Sequence, residues 1–117
     1  MEFTIEFYET SSGRSPVREF LDDLKKSDPD ELAIIMAGLT KLRNRDYHKS
    51  PLSRPIGDDF FESRHVGQLN TRVLYFFVKG QRIILVHGIR KKTRTLPVRD
   101  REVALERKRG WLARHPT

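Results

Sequence analysis

Cysteine is absent from the 117 residues, which excludes disulfides, thiol nucleophiles and thiolate zinc sites and favours an intracellular setting. Long apolar runs are absent too. None approaches the roughly 20 residues needed to span a bilayer, and Met1-Glu2-Phe3-Thr4 lacks the basic start of a signal peptide, so a cytoplasmic protein is expected. There is no phosphate-binding glycine loop, dinucleotide fingerprint or serine in a nucleophile elbow. His48, His65, His87 and His115 have no metal-ligand spacing, and the carboxylates form no set suited to two-metal chemistry, so neither metal nor cofactor is expected. With no internal repeat and no long Ser, Gly or Pro tract, residues 1–117 are expected to form one domain.

What is abundant is positive charge in one place. Ten Lys or Arg lie in residues 90–114 against Asp100, Glu102 and Glu106, so that stretch carries the whole +7 and the remainder balances thirteen against thirteen. Such asymmetry favours a polyanionic partner, because phosphate contacts release counterions and steer association. The plainer alternative is a basic helix that solubilises the fold or docks on an acidic protein.

Phe3, Ile5 and Phe7 alternate with polar residues as in a half-buried strand. Ser15 before Pro16 reads as an N-cap and first-turn pair, and Val17, Phe20, Leu21 and Leu24 then share one face of a helix running to about Lys26. Asp28-Pro29-Asp30-Glu31 repeats the start signal, and Leu32, Ile35, Met36, Leu39 and Leu42 form the stripe of a second helix ending near Arg45. Residues 46–59 mix Pro, Gly, Ser and charge without periodicity and read as a loop. Three strands follow, Phe60 to Val66, Thr71 to Val78 and Arg82 to Ile89, joined by short Gly-containing connections as an antiparallel meander. A short, polar C-terminal helix is expected from Val98 to Arg109, with Gly110 at its end. The helical hairpin is expected to cover one face of this α+β sheet and leave the other for a ligand.

Strand alternation puts Glu62 and Arg64 on one face, with Phe61, Ser63 and His65 on the other. Cutting RNA without a metal requires activation of the 2′-hydroxyl, stabilisation of charge on the phosphorane and protonation of the leaving 5′-oxygen. Arg and Lys serve the second task directly, while proton transfer falls to groups such as Glu62, His65, Tyr75, His87 or Lys91. Each has a structural reading: Glu62 as the ion-pair partner of Arg64 or Arg72, His87 and Tyr75 as packed core residues, Lys91 and Lys92 as solvated strand-end charges.

The runs Phe61-Glu62-Ser63-Arg64, Thr71-Arg72-Val73-Leu74-Tyr75 and Ile84-Leu85-Val86-His87-Gly88-Ile89-Arg90-Lys91-Lys92-Thr93, with Pro97 and Ala104, form a combined pattern. It resembles the phage-derived, HigB-like branch of the RelE/ParE toxin superfamily, and the expected element order matches over nearly the whole chain. The resemblance implies a RelE/ParE-like fold: an N-terminal strand, two-helix hairpin, three-stranded antiparallel meander and short C-terminal helix. It also implies the toxin of a type II toxin–antitoxin pair, a ribosome-dependent mRNA endoribonuclease that leaves a 2′,3′-cyclic phosphate.

By position, Arg72 matches the family's strand arginine at the scissile phosphate, Arg64 the basic residue of the preceding strand, and Lys91 and Lys92 the basic pair after the last strand. Glu62 lies within the motif. Arg90, Arg94, Arg54, Lys49 and Arg99 are the remaining candidate RNA contacts. Where some RelE-type members carry a tyrosine beyond the basic pair, this chain has Thr95, Leu96 and Pro97, which leaves Lys92, Lys91 and Glu62 as contenders for proton transfer. The implied partners are the ribosome, mRNA and a HigA-like antitoxin with a helix-turn-helix domain. ParE-like gyrase poisons share the fold, so a gyrase-directed toxin and a non-catalytic nucleic-acid or antitoxin-binding module stand as alternatives.

Overall fold

The computed structural model describes residues 2–66, 70–90 and 95–116. Strand β1 (Thr4–Phe7) is followed by helices α1 (Pro16–Ser27) and α2 (Pro29–Lys41) and a 3-10 turn (Arg45–Tyr47). Strands β2 (Ser53–Gly57), β3 (Phe60–Val66), β4 (Asn70–Val78) and β5 (Arg82–Arg90) come next, and α3 (Val98–Arg114) closes the chain. The sheet order is β1-β5-β4-β3-β2, with β1 parallel to β5 and the other pairs antiparallel.

The meander has four strands rather than the three expected, because part of the presumed 46–59 loop is β2. Pro55 within it hides the strand pattern, and a sheet tolerates proline at an edge, where β2 lies. The two-residue connection to β3 is Asp58-Asp59, with φ of 55° and 57°, a left-handed pair that usually takes Asn-Gly or Asp-Gly.

The two helix starts differ. Asp28 accepts the backbone N–H of Glu31 at 3.2 Å, as its position suggested, whereas Ser15 makes no side-chain cap bond. Glu31 does not close a capping box; its buried carboxylate accepts the Thr71 hydroxyl at 2.7 Å and ties α2 to β4. The second helix stops at Lys41, short of Arg45.

Alternation along β4 divides the core in two. Val73 and Tyr75, with Ile83 and Leu85 of β5, pack against Val17, Leu21 and Leu24 of α1 and Ile35 and Leu39 of α2. Leu74 and Phe76, with Phe60, Ile84 and Val86, pack against Tyr8 and the Ala104 and Trp111 of α3. The second face is therefore not open, as expected, but half roofed by a helix. That helix is also longer than the sequence suggested, passing through Gly110 to Arg114. Trp111 supplies the reason, since it is buried edge-on against Phe76, ring centroids 5.7 Å apart, and ending the helix at Arg109 would withdraw it.

A bulge in β5 completes the arrangement. Leu74 pairs with His87 and Tyr75 with Leu85, so Val86 is the extra residue and the alternation beyond it is shifted. His87 consequently faces α3, and Gly88 faces α1, where a Cβ would come within 2.5 Å of the Phe20 ring.

Candidate active site

The α3 side of the sheet is apolar beneath the helix and charged beyond it. Register places Arg54 of β2 opposite Glu62 of β3, and Arg64 of β3 opposite Arg72 of β4, all on this face. Arg54 Nε donates to Glu62 Oε1 at 2.7 Å, and Arg72 Nε stands 3.5 Å from the same oxygen. Two guanidiniums thus meet one carboxylate, and Arg64 adds a third cation opposite Arg72.

Their exposure differs sharply. Glu62 is fully enclosed, the Arg72 side chain is 2% exposed and that of Arg54 is 44% exposed, with Arg64 half-buried. Burial pulls the Arg72 guanidinium below its ordinary range; Glu62 opposes that shift, and Arg64 and Arg54 add to it. Arginine remains charged even so. Its one carboxylate contact among the described residues is long, and Nη1 reaches the Thr71 carbonyl at only 3.4 Å. Arg72, expected at the scissile phosphate, is closed off from solvent here and braces the cluster from within. Glu62 is the ion-pair partner of Arg54 and Arg72.

The other cations lie elsewhere. Arg90 is exposed at the end of β5 and pairs with Asp28 at 3.1 Å, on the α1 and α2 side. Lys49 is exposed in the segment before β2, and Arg99 in the first turn of α3. Lys91, Lys92 and Arg94 lie outside the described residues.

The proton-transfer candidates separate by face. His65 is buried on the α2 side, where its Nε2 and the Ser63 hydroxyl are 2.8 Å apart. Burial, with Arg72 nearby, lowers its pKa to about 4, so it is neutral at neutral pH. The Tyr75 hydroxyl is buried against the Ser53 hydroxyl, and burial raises its pKa, so Tyr75 is a core residue.

His87 is held at both nitrogens. Arg107 Nη1 donates to Nδ1 at 3.0 Å, which leaves Nε2–H to donate to Asp100 Oδ1 at 2.7 Å. Burial lowers its pKa against the pull of Asp100. This assigns the neutral Nε2–H tautomer and makes His87 a clasp between β5 and α3. No local spacing announces such a trio, because Asp100 and Arg107 reach His87 only once α3 folds back over the bulged strand. Among the described residues, no three His, Asp or Glu side chains gather as a metal site would require.

No curated protein matches the chain. A family model described as phage-derived protein Gp49-like (DUF891) matches residues 22–109, more than half of the chain and all of the charged cluster. That family is RelE/toxin-like, in agreement with the Glu62-Arg64 and Arg72 motifs at this coarser level. From Asp22 within α1 to Arg109 within α3 the chain matches this family, and it belongs to the phage-derived Gp49-like family.

Proposed function

We propose that this chain is the toxin of a type II toxin–antitoxin pair, of HigB-like type, and that it cuts mRNA on the ribosome without a metal ion. The observation that carries this reading is the gathering of Arg54, Arg64 and Arg72 on one face of three consecutive strands, with Glu62 paired to Arg54 and Arg72. Three cations against one anion leave a local positive excess on this face. Membership of the Gp49-like family supports the same reading.

In the reaction, the substrate's 2′-oxygen attacks phosphorus and the bond from phosphorus to the 5′-oxygen breaks. One proton leaves the 2′-hydroxyl and another reaches the 5′-oxygen, giving a 2′,3′-cyclic phosphate. Arg64 and Arg54, the more accessible members, stabilise the charge that grows on the phosphorane oxygens. Glu62 orients the guanidiniums, and Arg72 adds positive potential from a site of low dielectric, where it acts more strongly than in water. Lys91 and Lys92 are left as the proton donors. The neighbouring partners are the ribosome, mRNA and a helix-turn-helix antitoxin.

Closure of Arg72 favours one competing reading, a non-catalytic nucleic-acid or antitoxin-binding module in which Arg72 is a strut. Mapping of mRNA 5′ ends after brief induction in cells separates the two. Wild type is expected to produce new cuts inside translated codons that vanish in Arg64→Ala while its melting temperature stays within a few degrees of wild type. Arg72→Ala is expected to lose both activity and stability, about 3 kcal/mol, because it strips a buried carboxylate of a partner. Growth arrest by wild type without new cuts would sink the nuclease reading and direct attention to gyrase.

A further inference from the structure

On the α2 side of the sheet, away from the arginine cluster's own face, a groove of about 550 Å³ opens between α2 and the segment leading into β2. Its volume is typical of specific ligand pockets, roughly 300–1,000 Å³. Ile34 and Ala37 of α2, Tyr47 of the 3-10 turn, Pro51 and Leu52 supply an apolar lining, with His65 beside them. Ile34 and Tyr47 are 40% and 41% exposed, two large side chains left in water beside one another's cavity. His65 packs so closely on α2 that a Cβ at Gly38 would lie 2.4 Å from its ring.

The rim is cationic. Lys41 and Lys49 border the groove, with Asp46 the one acid among the described lining residues, and Arg64 lines it from β3. Arg64 has no ion-pair partner among the described residues, and its buried Nε donates to none of them. Lys41 hovers 5.7 Å from the Tyr47 ring rather than meeting a carboxylate. Single-stranded RNA would want successive aromatic faces for its bases, and Tyr47 is the one Phe, Tyr or Trp lining the groove among the described residues. Aliphatic side chains flanked by carboxylates match both lining and rim.

We infer that this groove docks an acidic, amphipathic segment of a protein partner, its apolar side chains seated between α2 and residues 47–52 and its carboxylates on Lys41 and Lys49. Arg64 borders the groove from β3 while its side chain starts from the opposite face, so the docking does not depend on the ribonuclease reading.

The test is a titration of the isotope-labelled full chain, followed by amide chemical shifts, with a short helical Leu/Glu amphipathic peptide. A Gln-for-Glu version and a single-stranded oligoribonucleotide serve as comparisons. Shifts are expected at residues 34–41, 47–52 and 64–65, with affinity falling about tenfold for the Gln peptide and falling further with added salt. Ile34→Asp and Lys49→Glu, both at exposed positions, are expected to weaken binding at least about tenfold with the rest of the spectrum preserved. Arg109→Glu on α3 leaves it unchanged. Shifts spread over the basic α3 surface, equal binding of the two peptides, no binding, or the oligonucleotide taking the groove in place of the peptide would each overturn the proposal. Because no RNA cleavage is read, failure here is distinct from failure of the nuclease reading.

Discussion

His65 shows how a single side chain makes stability depend on pH. Its imidazole titrates at about 4 when folded, against an ordinary 6.5, because burial and the Arg72 charge both disfavour the proton. Between those values the unfolded chain binds a proton that the folded chain refuses, so stability is full above about pH 6.5 and falls as the pH drops toward 4. The span corresponds to about 3 kcal/mol. His87, also shifted down by burial, contributes with the same sign. Urea unfolding at pH 7 and pH 5 is expected to show a smaller difference in His65→Gln than in wild type; an unchanged difference would remove His65 as its source. The face this residue occupies was legible from strand alternation, but its neutrality was not, since that follows from the α2 backbone closing over the ring. Arg72 teaches the same lesson. Its place in the motif was visible, whereas its enclosure depends on neighbours from β3 and β2.

Secondary-structure elements divide by how local their causes are. The two caps differ: Asp28 accepts the Glu31 amide and also pairs with Arg90, while the Ser15 hydroxyl is buried and makes no hydrogen bond among the described residues. Asp28→Ala is expected to cost about 1–2 kcal/mol, and Ser15→Ala to be near neutral or slightly stabilising, since it removes a polar atom that is desolvated without return. Denaturant midpoints of the two variants check this, and equal losses would contradict it. Helices α1 and α2 and strands β3 to β5 were readable because apolar periodicity and turn chemistry are local. Strand β2 was not, because an edge strand containing Pro55 gains its order from pairing with β3. The last turn of α3 was hidden for a similar reason, its order coming from Trp111 against Phe76 rather than from helix propensity at Gly110.

For the molecule as a whole, charge is the property with the longest reach. Much of the basic excess in α3 is engaged within the fold, Arg101 with Asp58 at 2.8 Å, Arg107 with His87 and the Val86 carbonyl, and Arg114 with the Glu9 carbonyl, whereas Arg99 and Arg109 are exposed. Binding of single-stranded RNA is therefore expected to weaken with salt, and Arg99→Ala to reduce the logarithmic salt slope by about 0.7 if that cation meets a phosphate. Fluorescence anisotropy across a salt series reads the slope directly, and an unchanged value would place Arg99 off the RNA path. Among the described residues no helix is long and apolar enough to cross a membrane, in keeping with the short apolar runs of the sequence. The sequence by itself determined the α+β class, the helical hairpin, the central strands and the basic motif residues, because each is written in neighbours a few positions apart. Only the tertiary structure decided that both sheet faces carry a core, that Arg72 is enclosed, that the bulge at Val86 turns His87 toward Asp100 and Arg107, and that Arg64 borders a groove as well as the arginine cluster. Those features join residues far apart in the chain, and burial and pairing exist only once the sheet has brought them together.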